Sequence, residues 1–231
     1  MGGTLYIVAT PIGNLEDITL RAIRILTDAD IILAEDTRVT KKLLESQNLK
    51  LKINNLKLIS YHQHSSDSKK QEILKLLLEG KNLALVTDAG TPGISDPGNE
   101  LADYLLSINP EIKIVPVPGA SAIVSALSVC GFNVNSFVFL GFLPKKKRKK
   151  LFDWIKTGNV SFGFYESPKR IIKTLGVLEE HFGAEKRVFV GREMTKFYED
   201  YYRGKIPEVK LQMEKSKMRG EIVVVVEGYG V

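Results

Sequence analysis

Residues 83–108 read LALVTDAGTPGISDPGNELADYLLSI, and this stretch decides the fold. Leu83 to Val86 is a short apolar run of strand length, as expected for a strand buried on both faces. Leu101, Tyr104, Leu105 and Ile108 recur at i, i+3, i+4 and i+7, which is one face of a helix. Between them, Gly90, Gly93 and Gly98 with Pro92 and Pro97 form a loop of defined shape. Strand, glycine-rich loop and helix make the repeating unit of a parallel α/β sheet. In open sheets of that kind, ligands sit beyond the carboxyl ends of the strands.

The pattern extends towards the N-terminus. Leu5 to Ala9, Asp30 to Ala34 and Leu58 to Tyr61 read as strands. Ile18 to Ala29 carries Leu20, Ile23 and Leu26 at helical spacing. Thr37 is placed to cap a helix after the second strand. Ser68 and Gln71 have capping-box spacing ahead of Ile73, Leu74, Leu77 and Leu78, and Gly80 closes that helix. Beyond Val115 to Gly119, where two prolines and a glycine cluster, the texture changes. Val160 to Tyr165, Val188 to Val190, Phe197 to Tyr202 and Ile222 to Val226 read as strands. Only Pro168 to Phe182 and Val209 to Lys215 read as helices among them. Strands without intervening helices predict a mixed, more antiparallel sheet. The expected organisation is an N-terminal α/β domain over 1–116 and a C-terminal α/β domain over 117–231.

The chain has 231 residues, 44% of them hydrophobic and 26% charged, which is the composition of an ordinary globular protein. No apolar run approaches the roughly 20 residues of a membrane span. The N-terminus shows no signal-peptide pattern, and the single cysteine, Cys130, excludes a disulfide framework, so a cytosolic protein is expected. Cys130 itself reads as a small core residue. The net charge is +6, and Lys145, Lys146, Lys147, Arg148, Lys149 and Lys150 form an unbroken basic run that accounts for all of it. Charge so localised points to a polyanionic partner.

There is no G-x-G-x-x-G after the first strand, no P-loop and no G-x-S-x-G elbow. His62, His64 and His181 lack the spacing of metal ligands, and no metal is expected. The strand ends carry the chemistry instead: Thr10 to Asn14, Glu35 to Arg38, Thr87 to Gly98, the turn Pro118 to Ser121, and Tyr165 to Pro168. Asp88 and Asp96 make the third of these acidic.

Read together, LYIVATPIGNLEDITLRAIRILTDADIILAEDTRVTKKLL (5–44), DAGTPGISDPG (88–98), PVPGASA (116–122), GFLP (141–144), FYESPKRI (164–171), REMTKFYED (192–200) and RGEIVVVVEG (219–228) resemble the small-subunit ribosomal RNA methyltransferase I family. That family belongs to the tetrapyrrole-methylase superfamily, and the resemblance covers nearly the whole chain. It implies two α/β domains with S-adenosylmethionine in the cleft between them. It also implies 2′-O-methylation of a cytidine ribose in small-subunit (16S) ribosomal RNA by a homodimer. By matching motifs, the cofactor would touch Pro11, Ile12, Gly13, Gly90, Thr91, Gly93, Ile94, Ser95, Ser121, Ala122, Tyr165, Glu193, Met194 and Glu221. The cofactor's sulfonium cation suits carbonyls and carboxylates. Family members usually place a histidine after the ESP proline. Here it is Lys169, so a histidine role there does not carry over.

Residue chemistry adds an acceptor side. Ser167-Pro168 reads as a helix start with Lys169 and Arg170 in its first turn, and Arg38 follows Thr37 similarly; free N–H groups plus cations make phosphate-binding corners. The Lys145–Lys150 run would add salt-dependent RNA affinity without reading sequence. A ribose hydroxyl attacking the methyl must lose its proton, and Glu166 is the first candidate base, with Asp36, Asp96 and Lys169 as alternatives. Three other readings compete: a methyltransferase acting on a small tetrapyrrole, a non-catalytic RNA-binding module, and a metal-dependent phosphohydrolase using the aspartates.

Overall fold

The computed structural model describes residues 2–46, 57–146, 148–216 and 219–228. The chain divides into two compact units, Met1–Ser121 and Ala122–Val231.

The first unit is a doubly wound parallel sheet. Its elements in chain order are β1 (Thr4–Val8), α1 (Leu20–Asp28), β2 (Ile31–Ala34), α2 (Thr37–Ser46), β3 (Lys57–Ser60), α3 (Asp67–Leu78), β4 (Leu83–Val86), α4 (Asn99–Ile108) and β5 (Lys113–Val117). The strands lie in the order β3-β2-β4-β1-β5, all parallel. Alternation along β4 explains the two layers. Leu83 and Leu85 join Ile73, Leu77, Leu101 and Leu105 on one face, while Ala84 and Val86 join Ala22, Leu26 and Leu44 on the other. A strand buried on both sides has no room for polar residues, which is why β4 reads as an unbroken apolar run.

Two local readings are corrected here. The cap of α2 is Asp36, whose Oδ1 accepts from the Arg38 N–H at 2.8 Å, and Thr37 is already helical. The cap of α3 is Ser66, so Ser68 lies inside the helix and the Ser68–Gln71 capping box does not form. The proline-containing segment Val115 to Gly119, where the texture of the sequence changes, starts inside the first unit. Its first three residues belong to β5, paired with β1 from Thr4↔Lys113 to Val8↔Val117. Pro116 is tolerated because β5 is an edge strand.

The second unit contains α5 (Ala122–Val129), β6 (Phe137–Phe142), α6 (Arg148–Gly158), β7 (Ser161–Glu166), α7 (Ile171–Phe182), β8 (Arg187–Arg192), β9 (Asp200–Lys205), α8 (Ile206–Glu214) and β10 (Ile222–Val226). Its sheet runs β6-β7-β10-β8-β9 and is mixed: β6 and β7 are parallel, and the remaining pairs are antiparallel. All five residues of β10 are buried, because α6, α7 and α8 cover one face and α5 the other. The helices α5 and α6 and the strand β6 escape the sequence reading. In α6 the apolar positions Phe152 and Ile155 are hidden among five charged residues of the helix. The strand expected from Phe197 begins instead at Asp200, and Phe197 is 93% exposed. The helix expected from Pro168 begins at Ile171, after a turn in which Arg170 and Ile171 N–H both donate to the Ser167 carbonyl. The helix expected from Val209 begins earlier, at Ile206, where Glu208 accepts from the Lys205 N–H.

Phe164 is fully buried at the centre of the larger core of this unit. Phe164→Ala is expected to cost about 3–5 kcal/mol of unfolding free energy, read from denaturant titration at unchanged m-value.

Candidate functional site

In the first unit, the segments leaving β1, β4 and β5 are neighbours because these strands are neighbours. Backbone hydrogen bonds tie them together. Thr10 and Gly90 exchange both N–H···O bonds, at 2.9 and 3.0 Å, and the Ala9 N–H donates to the Val117 carbonyl at 3.2 Å. The Thr10 hydroxyl donates to the Thr87 carbonyl at 3.2 Å, and the Thr91 hydroxyl to the Ala120 carbonyl at 3.0 Å. Gly90 sits at φ +82°, and a Cβ there would stand 3.4 Å from Cγ2 of Ile12 and 3.8 Å from the Ala120 carbonyl. The backbone conformation therefore resists a side chain at Gly90, although a Cβ would make only ordinary contacts there. Pro11, Ile12, Gly90 and Thr91 thus meet in one place, with Gly13 at its exposed rim. Beneath them the Thr87 hydroxyl is buried and has no hydrogen-bond partner among the described residues. A buried orphan hydroxyl beside backbone turns is what a polar ligand would satisfy.

Further along the loop, Ser95 takes φ +64°, a conformation that serine adopts at a cost of order 1 kcal/mol or more. Asn99 Nδ2 donates to the Gly93 carbonyl at 2.7 Å and holds the loop against α4. A cavity of about 240 Å³ opens here, lined by Gly93, Ser95 and Asp96 from the loop, Asn99 and Glu100 from α4, and Tyr61 and Gln63 from beyond β3. Ile94 is exposed on the same loop. The sequence reading passed over Tyr61 and Gln63; the rule that ligands sit past strand ends would have included them, since Tyr61 follows β3.

The expected bases separate sharply. Asp36 is clamped by Arg38, with Nε at 3.0 Å and Nη2 at 2.6 Å, and that guanidinium holds its carboxyl down to about 2. So acidic a group is a poor proton acceptor. Arg38 is spent on Asp36 in the same pair, although its side chain is 86% exposed. Asp88 accepts from the Asp36 N–H at 3.1 Å, and partial desolvation pushes its carboxyl up. Asp96 is exposed at the cavity.

Glu166, the first candidate base, is 2% exposed. It accepts from Arg170 Nε at 2.6 Å, the Thr174 hydroxyl at 2.8 Å and the Ser167 N–H at 2.8 Å, and Arg148 Nη2 lies at 3.7 Å. A carboxylate so enclosed and so fully bonded holds structure together; it has neither access nor a lone pair to spare for a substrate proton. Arg170 and Arg148 are corrected with it. Arg148 also donates to the Pro144 carbonyl and the Thr174 hydroxyl, at 2.7 and 3.0 Å, so both arginines are internal ties and not phosphate contacts. Lys145, Lys146, Lys149, Lys150 and Lys169 remain exposed, and Lys147 lies outside the described residues.

The remaining residues of the cofactor set lie in or next to the second unit. Ser121 immediately precedes α5, and Ala122 begins it. Tyr165 packs edge-on against Phe139 and Phe142, with ring centroids 5.0 and 5.5 Å away. Met194 is buried with Phe189 and Val223. Glu193 is held at φ +51°, and its Oε1 accepts from the Glu221 N–H at 2.8 Å. Lys196, which the sequence reading missed, binds Glu193 at 3.0 Å and Glu221 at 2.9 Å. Gly220, at φ +84°, gives Glu193 its room, since a Cβ there would fall 2.2 Å from the carboxyl carbon. The two acidic side chains are thus occupied with Lys196, and what this turn offers a ligand is its backbone. Among the described residues no group of three metal-ligating side chains occurs, and no helix is long and apolar enough to cross a membrane.

Comparison with known proteins adds a family to this geometry. The sequence profile of the tetrapyrrole (corrin/porphyrin) methylases matches residues 4–210. The ribosomal RNA small subunit methyltransferase I of Thermotoga maritima is 46% identical over 227 residues, covering 98% of this chain and 99% of the relative. Among solved structures, the methyltransferase CobJ superposes with a TM-score of 0.70 at 18% identity, covering 98% of this chain and 94% of the other. A uroporphyrin-III C-methyltransferase from Thermus thermophilus, complexed with S-adenosylhomocysteine, gives 0.65 at 15% identity, covering 97% of each chain. At such identities the solved structures establish the fold alone.

The Glu193–Lys196–Glu221 tie has a pH window. Burial raises the Glu193 carboxyl, but the Glu221 N–H and Lys196 outweigh it and leave it below its usual 4.5. Burial lowers Lys196, but Glu221 and Glu193 outweigh that and leave it above its usual 10.5. The carboxylate's contribution is therefore present above 4.5 and lost as pH falls through the lower folded value. The ammonium's contribution is present below 10.5 and lost as pH rises through the higher folded one. Lys196→Met is expected to cost up to about 1 kcal/mol at neutral pH and to flatten the loss of thermal stability between neutral and acidic pH, measured as Tm against pH.

Proposed function

Because the chain belongs to the tetrapyrrole (corrin/porphyrin) methylase family, and within it to the ribosomal RNA small subunit methyltransferase I relatives, we propose that it transfers a methyl group from S-adenosylmethionine to the 2′-hydroxyl of a cytidine ribose in small-subunit ribosomal RNA. The observation that carries this reading is the seam of turns after β1, β4 and β5, where Gly90 holds a positive φ that resists a side chain and the buried Thr87 hydroxyl lacks a partner among the described residues. Those features suit the cofactor. Carbonyls of the turns favour a sulfonium cation, and the orphan hydroxyl is free to bond a polar substituent. Bound there, S-adenosylmethionine supplies a methyl group on a positively charged sulfur.

The chain's own residues align the acceptor and take its proton. The ribose oxygen forms the new C–O bond as the S–C bond breaks, the sulfur leaves as a neutral thioether, and the hydroxyl proton passes to a carboxylate. Since the sulfur leaves neutral, alignment supplies much of the acceleration. We assign the proton acceptor to Asp96. It is exposed at the cavity beside Gly93 and Ser95, whereas Glu166 is enclosed and Asp36 is held by Arg38. Pro11, Ile12, Gly13, Gly90, Thr91, Gly93, Ile94 and Ser95 line the cofactor side. Ser121, Ala122, Tyr165 and the backbone of Glu193, Met194 and Glu221 complete the cofactor set. Lys145, Lys146, Lys149, Lys150 and Lys169 face the RNA. The enzyme works in the cytoplasm as a homodimer.

A small tetrapyrrole substrate, the main rival, is supported by the solved structures at the level of fold only, and it leaves the exposed lysines without a purpose. Ribose-methylation mapping of small-subunit RNA from cells with and without the gene is expected to show one cytidine losing its methyl group. A methylated precorrin in place of methylated RNA would favour the rival. Asp96→Asn is expected to keep S-adenosylmethionine affinity and lose about 10²–10⁴-fold in turnover. Gly90→Val is expected to abolish cofactor binding by calorimetry while the protein remains folded by circular dichroism.

A further inference from the structure

The run from Lys145 to Lys150 and the helix it enters, α6, divide their charges between two tasks. Phe152 and Ile155 are buried, at 1% and 3% exposure, and turn one face of α6 into the core. Arg148 goes with them, bonded to Pro144, Thr174 and Glu166. Lys149 and Lys150 point the other way and are exposed, with Lys145 and Lys146 exposed ahead of the helix. None of these four lysines has a carboxylate partner among the described residues. On the same outward face stands Trp154, the protein's only tryptophan, 60% exposed and with no ring or cation against it among the described residues. Lys150 and Trp154 are one helical turn apart, which puts their Cβ atoms roughly 5–6 Å from each other. The other polar groups of this face are turned aside. Asp153 lies 3.2 Å from His181 Nε2, and Lys156 donates to the His181 carbonyl at 3.5 Å.

A large aromatic ring left in water beside uncompensated lysines is a binding surface, and its chemistry specifies the occupant. The lysines call for a polyanion, and the ring calls for a flat aromatic partner. Unpaired nucleic acid supplies both along one chain, because every base has a face to stack and every linkage a phosphate. A duplex supplies only the charge, since its bases are stacked on one another and its RNA major groove is too narrow for a side chain. A second copy of the same face would set lysines against lysines across a two-fold axis.

We propose that the outward face of α6, with Lys145 and Lys146 before it, holds an unpaired stretch of the RNA substrate, its phosphates on the lysines and one base stacked on Trp154. The identity of that RNA rests on the function proposed above; the stacking contact itself does not. The surface therefore selects single-stranded segments, as Trp154 adds a contact that the charges alone cannot make.

Because Trp154 is the sole tryptophan, its fluorescence reports the contact directly. Titration with oligocytidylate RNA is expected to quench it, whereas inorganic polyphosphate binds without quenching. Trp154→Leu is expected to weaken oligocytidylate binding by about tenfold and leave polyphosphate binding unchanged, and Trp154→Phe to retain most of the affinity. In methyl-transfer assays on small-subunit RNA, Trp154→Leu is expected to raise KM more than it lowers kcat. Equal oligocytidylate affinity in wild type and Trp154→Leu, or equal quenching by polyphosphate, overturns the proposal. So does a self-association of the wild type, seen by sedimentation, that Trp154→Leu abolishes, since it gives the face to a second copy. Wild-type protein that quenches with RNA but transfers no methyl group refutes the proposed reaction and leaves the stacking site standing. Wild-type protein that methylates RNA while Trp154→Leu shows unchanged KM and affinity refutes the stacking site alone.

Discussion

Two backbone hydrogen bonds between Thr10 and Gly90 hold the candidate site of the first unit in place. They join the turn after β1 to the turn after β4, and the Thr91 hydroxyl carries the connection on to Ala120 beyond β5. The two backbone bonds need no special side chain, because parallel neighbours in a sheet deliver their carboxyl ends to the same edge. What the turn after β4 needs is backbone freedom. Gly90 lies against Ile12 and Ala120 at a backbone angle that an L side chain resists. The clamp therefore gathers backbone groups of three turns, and the neighbouring Thr87, whose carbonyl accepts from the Thr10 hydroxyl, keeps a buried hydroxyl without a partner among the described residues.

The second unit depends on a different tie. Glu166 ends β7, and its carboxylate gathers Arg170, Thr174 and the Ser167 N–H, with Arg148 nearby. An enclosed carboxylate is tolerable only when its oxygens are fully bonded and its charge is matched. Here two arginines supply the match, and in doing so they pin the start of α6 and the turn before α7 to the end of β7. The consequence reaches the surface: with Arg148 drawn inwards, Lys145, Lys146, Lys149 and Lys150 are left outside. One buried charge thus sorts a uniform basic run into structural and exposed members.

Strain marks the turn from Glu193 to Thr195, where both named residues take positive φ. A β-branched residue such as Thr195 at φ +67° persists only where its surroundings over-determine it. Here Lys196 bridges Glu193 to Glu221, and Met194 is packed between Gly191 and Val223. The same economy holds at Ser95, which Asn99 braces through Gly93.

Composition and periodicity alone determine a good deal here. The doubly wound parallel unit is legible because β2 and β4 are buried on both faces and so are written as unbroken apolar runs, with helices of 3.6 period following strands; the edge strand β5, with Lys113 and Pro116 exposed, escapes that signal. The mixed character of the second sheet is legible from successive strands, and the glycine-rich turns at strand ends mark where a ligand belongs. Helix α5 stays hidden because it is short and apolar almost all round, so no helical period stands out, and α6 because its apolar positions lie inside a charge run; only contact with the core distinguishes them. The roles of the charged residues are also decided by tertiary structure. Glu166, Asp36, Arg148 and Arg170 look like catalytic or phosphate-binding groups in sequence, and Asp96 looks no different from them. Whether a carboxylate can take a proton depends on which cation stands beside it and whether solvent reaches it; the cation can be near in sequence, as Arg38 is to Asp36 and Arg170 to Glu166, but the enclosure of Glu166 also draws on Arg148 of α6 and Thr174 of α7. Sequence therefore specifies where backbone turns must be and which side chains are ionisable; the fold specifies which of those groups are enclosed and which stay exposed to solvent, because burial is set by elements that meet only on folding.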